Sequence, residues 1–375
     1  LQSKTGRSVS FGISLEPTWP IWEVVDLAML SEKLGFSTVW VPDGGPAPPY
    51  SDCIVTLSAI ASKTKSIRFG SAILNFYTRN PAWIASSFLA LSDLAFHNER
   101  LGSLLSMKRN KRNNKKKRGE IKSRERAKQR AILGIGVGAP YNVAKFGISS
   151  RIGLIDDLRE AIEAIRDLWN GKEVSVRTDS FAIERVTLSR NATGMIPIHV
   201  GSGSPKGLKL AGEIADGVIL TDRIPSDIEE SMKYVILGMG FASRARKELE
   251  ITNSVVVCVD EDGAKAKRAA RTTCSYLVAW LDDSKAEAHG IDLATKKKIS
   301  EFLERGEERS AAKLVDDKMV ELLTASGKPE ECAEKCREHL SHGIDQIAFC
   351  EPFGPDKRRA IELIAKRIIP KLLAR

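Results

Sequence analysis

Long apolar runs are missing from this chain of 375 residues. No stretch reaches the roughly 18 consecutive apolar residues that cross a bilayer as a helix. The first ten residues, LQSKTGRSVS, lack the apolar core of a secretory signal, so the chain is expected neither to span a membrane nor to be exported. The first residue is Leu rather than Met, and residues are expected to precede it or to have been removed. Cysteine pairs are also missing. Cys53, Cys258, Cys274, Cys332, Cys336 and Cys350 form no C-x-x-C motif, and Cys332 and Cys336, four apart in a helical pattern, read as small helix residues. Reduced thiols in a cytoplasm are the expectation. No Ser-His-Asp set and no metal-ligand spacing stands out, so neither a hydrolase triad nor a metal site is predicted.

The net charge of +10 is not spread over the chain. Residues 103–130 hold thirteen Lys or Arg against two Glu, which leaves the remainder close to neutral. Residues 97–130 carry almost no core-forming side chains after Leu105 and cannot bury enough apolar surface to fold alone. They read as a mobile insertion or a solvated helix. Contact with nucleic acid, if any, is confined to this segment. The absence of an aromatic residue after Phe96 for base stacking favours a tolerated insertion instead.

Outside that segment, 42% hydrophobic and 28% charged residues suit a globular protein, and short apolar runs alternate with helical periodicity. Strands are predicted at 9–14, 38–41, 67–74, 131–136, 196–200, 218–220, 249–259 and 346–350, each followed by a helix. The helix at 154–169 has the clearest stripe, with Leu158, Ala161, Ile162, Ile165 and Leu168 on one face. Residues 172–188 alternate like a surface hairpin, and 282–327 read as a charged, helical excursion without strands. Eight buried strands, each with a helix, predict an α/β fold, a (β/α)8 TIM barrel formed as one domain over 1–375, with a doubly wound sheet as the alternative. In a barrel the chemistry sits at the C-terminal strand ends. The candidates there are Ser14 and Glu16, Asp43, residues 75–79, 136–138 and 201–204, Thr221 with Asp222, and Glu351.

One unit is complete within itself, IPIHVGSGSPKGLKLAGEIADGVILTD at 196–222. A strand, a loop of Gly201, Ser202, Gly203 and Ser204, and a helix opened by Pro205 present backbone N–H groups and a positive dipole end. An anion site and a plain strand-to-helix turn remain equally open on this pattern alone.

Four segments in order, IRFGSAILNFYTRNPA, AILGIGVGAP, the SPKGLKLAGEIADG run and HGIDQIAFCEPFGPDKRRAIELI, resemble the luciferase-like superfamily of flavin- and deazaflavin-dependent oxidoreductases. Within it they resemble the archaeal 5,10-methylenetetrahydromethanopterin reductases. The resemblance covers nearly the whole chain apart from 103–130. It implies hydride transfer between a reduced deazaflavin, coenzyme F-420, and a one-carbon pterin. It also implies a homo-oligomer, a helical excursion between the seventh and eighth strands, and a non-prolyl cis peptide at Ala72–Ile73 behind the central ring of the cofactor. On this resemblance Gly201, Ser202, Gly203, Ser204, Lys206 and Arg79 hold the anionic tail. Gly136 and Gly138 let the backbone pass close to the ring or ribityl chain. Asn75 and Thr78 reach the ring edge or substrate, and Asp43 orients a ring nitrogen or the pterin. The chain departs from the pattern at three points, one of them the small-residue-Gly-Arg turn before the fourth strand, here split between Ala95 and Arg130. Ser14 stands where the family's FGIE run ends in Glu, with Glu16 two residues on, and Asp43-Gly44 replaces Asp-His. The alternatives are an FMN-dependent monooxygenase of the same fold and a non-catalytic barrel that binds nucleic acid through the basic insertion.

Overall fold

In a computed structural model, residues 8–44, 50–109, 129–138, 154–192, 194–221 and 224–374 are described, with backbone alone for 97–109. The heart of the basic segment, 110–128, lies outside the described residues.

The chain alternates strands and helices: β1 (Ser10–Ser14), α1 (Ile21–Lys33), β2 (Thr38–Val41), α2 (Cys53–Lys63), β3 (Arg68–Ser71), β4 (Leu74–Asn75) and α3 (Pro81–Arg109). Then come β5 (Ala131–Gly136), α4 (Leu154–Trp169), the antiparallel hairpin β6 (Val174–Arg177) and β7 (Ala182–Val186), β8 (Ile198–Gly201), α5 (Pro205–Ile214), β9 (Gly217–Leu220) and α6 (Pro225–Phe241). After β10 (Glu250–Val259) and α7 (Gly263–Trp280) the excursion contributes α8 (Asp283–Ala288), α9 (Leu293–Glu304), α10 (Glu308–Leu314) and α11 (Asp317–Leu323). The chain closes with β11 (Ala325–Gly327), α12 (Pro329–Ser341), β12 (Gln346–Phe353), and α13 (Lys357–Leu363), which passes through a π turn into α14 (Ile369–Leu373). Among the described residues no helix is long and apolar enough to cross a membrane.

Parallel pairing runs β10-β12-β1-β2-β3-β5-β8-β9, and β9 pairs back to β10, which closes an eight-stranded barrel. Four departures from the sequence reading have physical causes. The 282–327 excursion is not strand-free: β11 pairs with Val257–Val259 of β10, and three residues are too short to show a period. The third helix runs on to Arg109 because Leu, Met, Lys and Arg are good helix formers even where they make no apolar stripe. The third strand is split into β3 and β4 at a cis Ala72–Ile73 peptide, where the resemblance implied one. The eighth strand continues to Phe353 through a cis Glu351–Pro352 bond.

Outward-facing strand residues such as Phe11, Val39, Leu133 and Phe349 join the helices in the main core. Inside the barrel the apolar cluster is small: Trp40, Ile132, Ile219 and Ala348, with Ala72 and Ile73 against it. Below it lies a polar layer. Ser10, Thr38, Arg68, Glu250 and Gln346 each open their strand. Arg68 makes two hydrogen bonds to Glu250, at 2.9 and 2.8 Å. Gln346 accepts from Trp40 Nε1 at 2.7 Å and donates to Ser10 Oγ and Thr38 Oγ1. His199, buried, points inward with its ring 5.4 Å from that of Trp40. This plug occupies the N-terminal end, the stabilising face of such barrels.

Candidate active site

The C-terminal end of the barrel gathers the residues that the sequence singled out. Ser14, 8% exposed, ends β1 with Cys350 of β12 directly beside it in register. Cys350 is the one cysteine of the six that is not buried. The next loop residue on that side, Glu16, donates its backbone N–H to Glu351 Oε1 at 3.1 Å, and the other oxygen of Glu351 pairs with Lys357.

Beside this pair stands Tyr50, whose ring packs over Gly44. Burial, reinforced by the charges of Glu16, Glu351 and Glu308, pushes its phenol up to about 12. Glu308 comes from α10 and accepts a 2.7 Å hydrogen bond from Tyr276 of α7. The excursion therefore reaches the barrel mouth. Glu351 was among the strand-end candidates, whereas Tyr50, Glu308 and Tyr276 were not singled out by the sequence. Glu351 alone carried a signal, as a carboxylate at a strand end, while Glu308 is separated from Tyr50 by the length of the fold.

Asp43 and Arg79, predicted separately, come together. Arg79 Nε lies 3.6 Å from Asp43 Oδ2, and Arg79 Nη2 lies 2.5 Å from Asp52 Oδ2. Asp52 is not among the candidates that the sequence singled out. It caps α2, accepting from Val55 N at 2.9 Å. Burial opposes its charge, but the Val55 N–H and Arg79 hold its carboxyl below the usual range.

Asn75 ends β4 and folds back on its own loop. Its Oδ1 accepts from Thr78 N at 2.9 Å and from Thr78 Oγ1 at 2.7 Å. What Asn75 offers a bound molecule is its Nδ2 donor. Asn80 receives the Ala82 N–H and donates to Ala182 O, so this end of the TRNPA run starts α3 and ties it to the hairpin.

Ala72 and Ile73 are half-exposed at the mouth. A β-carbon on Gly136 would collide with Ile73 Cδ1 and the Gly201 carbonyl oxygen, and one on Gly201 would fall 2.6 Å from Ile73 Cγ2. The two glycines thus make room for Ile73, a function their sequence context did not reveal. Gly138 has a φ of +66°, open to glycine at little cost.

At the β8 end, Ser204 caps α5, accepting from Gly207 N at 3.2 Å, while Ser204 N donates to Ser202 Oγ. Pro205 has no N–H, and the amide of Lys206, at the second helical position, has no intrahelical acceptor. Gly203, Ser204 and Lys206 are exposed, and Ser202 is buried. Asp222, placed after the next strand, lies outside the described residues. Among the described residues no group of His, Cys, Asp or Glu is arranged to hold a metal.

The family described as luciferase-like monooxygenase matches residues 9–96 and 126–346. A 5,10-methylenetetrahydromethanopterin reductase of Methanolobus tindarius is 33% identical over 364 residues, spanning 96% of this chain and 100% of the relative. One from Archaeoglobus fulgidus is 30% identical over 97% of this chain and 100% of its own length. The solved structure of the coenzyme F-420-dependent tetrahydromethanopterin reductase from Methanopyrus kandleri superposes with a TM-score of 0.82 at 27% identity, covering 97% of this chain and 99% of that one. With the match interrupted only within the basic segment and both halves of the barrel included, this chain belongs to the luciferase-like monooxygenase family.

Proposed function

We propose that this protein is a coenzyme F-420-dependent oxidoreductase that transfers a hydride between the reduced deazaflavin and a one-carbon pterin of the methylenetetrahydromethanopterin type. The observation that carries the reading is the barrel mouth. A half-exposed shelf of Ala72 and Ile73 lies over Gly136 and Gly201, and the glycine-serine start of α5 follows on directly from Gly201. A flat apolar shelf beside a helix N-terminus fits a planar ring with an anionic tail. The relatives named methylenetetrahydromethanopterin reductase, at 30–33% identity over nearly all of the chain, support the same assignment.

When bound, the deazaflavin supplies the hydride chemistry. The protein's part is to hold and orient. Gly201, Ser202, Gly203 and Ser204 present backbone and hydroxyl donors to the phosphodiester, with Lys206 as the nearby cation. Asn75 Nδ2 and Thr78 serve the ring edge, while Gly138 admits the ribityl chain. Ser14, Glu16 and Asp43 face the acceptor, where hydroxyl and carboxylate groups orient the pterin and move its proton.

The six cysteines, none in a disulfide, suit a reducing cytoplasm. Trp22 on α1, Val55 on α2 and Trp83 on α3 are 68%, 55% and 73% exposed on helices that pack side by side, which supports a homo-oligomer through this face.

Gly203→Asp tests the tail site. A carboxylate beside the phosphodiester is expected to weaken F-420 binding at least tenfold. Unchanged affinity by fluorescence titration contradicts the assignment. Tight FMN binding with oxygen consumption, and none of F-420, favours a monooxygenase instead.

A further inference from the structure

The clamp around Arg79 is not accounted for by any role given so far. One guanidinium stands between two carboxylates, Asp43 with a side chain 6% exposed and Asp52 at 40%. Its Nη2 is committed to Asp52. Its Nε is buried, makes no hydrogen bond, and is aimed at Asp43 from 3.6 Å, close enough for strong charge attraction but beyond hydrogen-bond length. Arg79, which the resemblance implied for the anionic tail, is already engaged by two carboxylates, and a phosphate or a glutamate tail would compete with both for it. Arg79 therefore acts inward, on Asp43. A carboxylate can accept about four hydrogen bonds, and Asp43 is held here by charge without a hydrogen bond from this partner.

We propose that Asp52 is a positioning residue that, through Arg79, fixes the orientation and charge of the Asp43 carboxylate in the barrel mouth. Its significance for catalysis rests on the reading of that mouth as the deazaflavin and acceptor site. Arg79 from the loop after β4, and Asp52 and Cys53 from the start of α2, are among the charged and titratable groups around Asp43. Cys53 is buried, its thiol pushed well up by that burial and by Asp43 and Asp52, and it donates to Val41 O. It stays neutral and takes no part in the charge balance.

The arrangement separates three variants. Asp52→Asn keeps the helix cap, since Asn caps as well as Asp, but removes an anion and leaves Arg79 wholly to Asp43. Asp43 then holds its proton less tightly. Arg79→Gln removes the cation, and Asp43 holds its proton more tightly. Arg79→Lys restores charge without the planar fork. The direct measurement is carboxyl carbon NMR titration of Asp43 in the wild type and the three variants, with F-420 affinity measured by fluorescence on the same samples.

The proposal expects the Asp43 midpoint to move down in Asp52→Asn and up in Arg79→Gln, each by about half a pH unit or more, with partial recovery in Arg79→Lys. F-420 affinity should stay within about threefold in all three. The acid limb of kcat/KM should follow the same order. An Asp43 titration that is the same in every variant overturns the clamp. So does a tenfold loss of F-420 affinity in Arg79→Gln with the Asp43 titration unmoved, because Arg79 then binds the cofactor's tail. If the titration moves as expected but F-420 does not bind the wild type, the clamp stands and the cofactor assignment fails.

Discussion

The side chain of Ile73 occupies the space that a β-carbon on Gly201 needs, with Cγ2 2.6 Å from that position. The shelf at the barrel mouth is thus a packing between neighbouring strands. Gly201→Ala is predicted to destabilise the fold by about 1–3 kcal/mol through overpacking. Gly136→Ala should cost more, because its β-carbon meets the Gly201 carbonyl as well as a side chain that can turn away. Ile73→Val, which removes Cδ1, should recover part of the Gly136→Ala loss. Urea unfolding of the single and double variants gives the coupling energy, and strict additivity contradicts this packing.

Cys350 is predicted to be the first thiol to react. It lies beside Ser14 at the mouth and is half-exposed, while the other five cysteines are buried. Burial pushes Cys258, Cys274 and Cys336 up to about 12, so they hold little thiolate at neutral pH. Limited alkylation followed by peptide mapping should mark Cys350, and bound cofactor should slow the reaction several-fold. Equal labelling at Cys53 or Cys332 speaks against the described burial.

The polar layer at the opposite end is predicted to matter for stability alone. Gln346→Ala strands the buried Trp40 Nε1–H and leaves a cavity, a loss of about 2–4 kcal/mol. The kcat/KM of the folded fraction should remain within a few fold, since this layer lies at the N-terminal end of the strands. A large fall in kcat/KM with unchanged stability reverses the assignment.

His339 on α12 makes stability depend on pH. Burial, with smaller contributions from Lys335 and His342, pushes its imidazole from 6.5 down to about 3, and it meets Asn253 at 3.1 Å. The unfolded chain therefore binds a proton that the folded chain refuses between these values. The stability is full above about pH 6.5 and is lost as pH falls, by about 1.4 kcal/mol per pH unit down to about 3. In His339→Gln this part of the slope should vanish. Denaturation midpoints at pH 7, 6 and 5 check it, and parallel slopes for the two proteins contradict it.

The barrel was largely legible from local pattern. Buried parallel strands are short apolar runs, so 38–41 and 131–136 have the bounds their sequence suggests, and the stripe on α4 is what an amphipathic helix must show. The positions of the candidates were legible, as Ser14, Asn75 and Gly201 end their strands and Asp43 follows β2 by two residues. What stayed hidden is long-range. Glu16 meets Glu351 across 335 residues and Trp40 meets Gln346 across 306, and no local period encodes such a pairing. Asp52 was hidden by its success as a cap, which gave it a sufficient reason to exist before Arg79 was seen beside it.

The most direct test of the central claim is anaerobic titration of the purified protein with coenzyme F-420 and with FMN, followed by mixing the reduced F-420 complex with methylenetetrahydromethanopterin. The account predicts that F-420 binds and that oxidised F-420 forms in step with consumption of the pterin. Binding of FMN alone, with oxygen consumed and the pterin untouched, contradicts it.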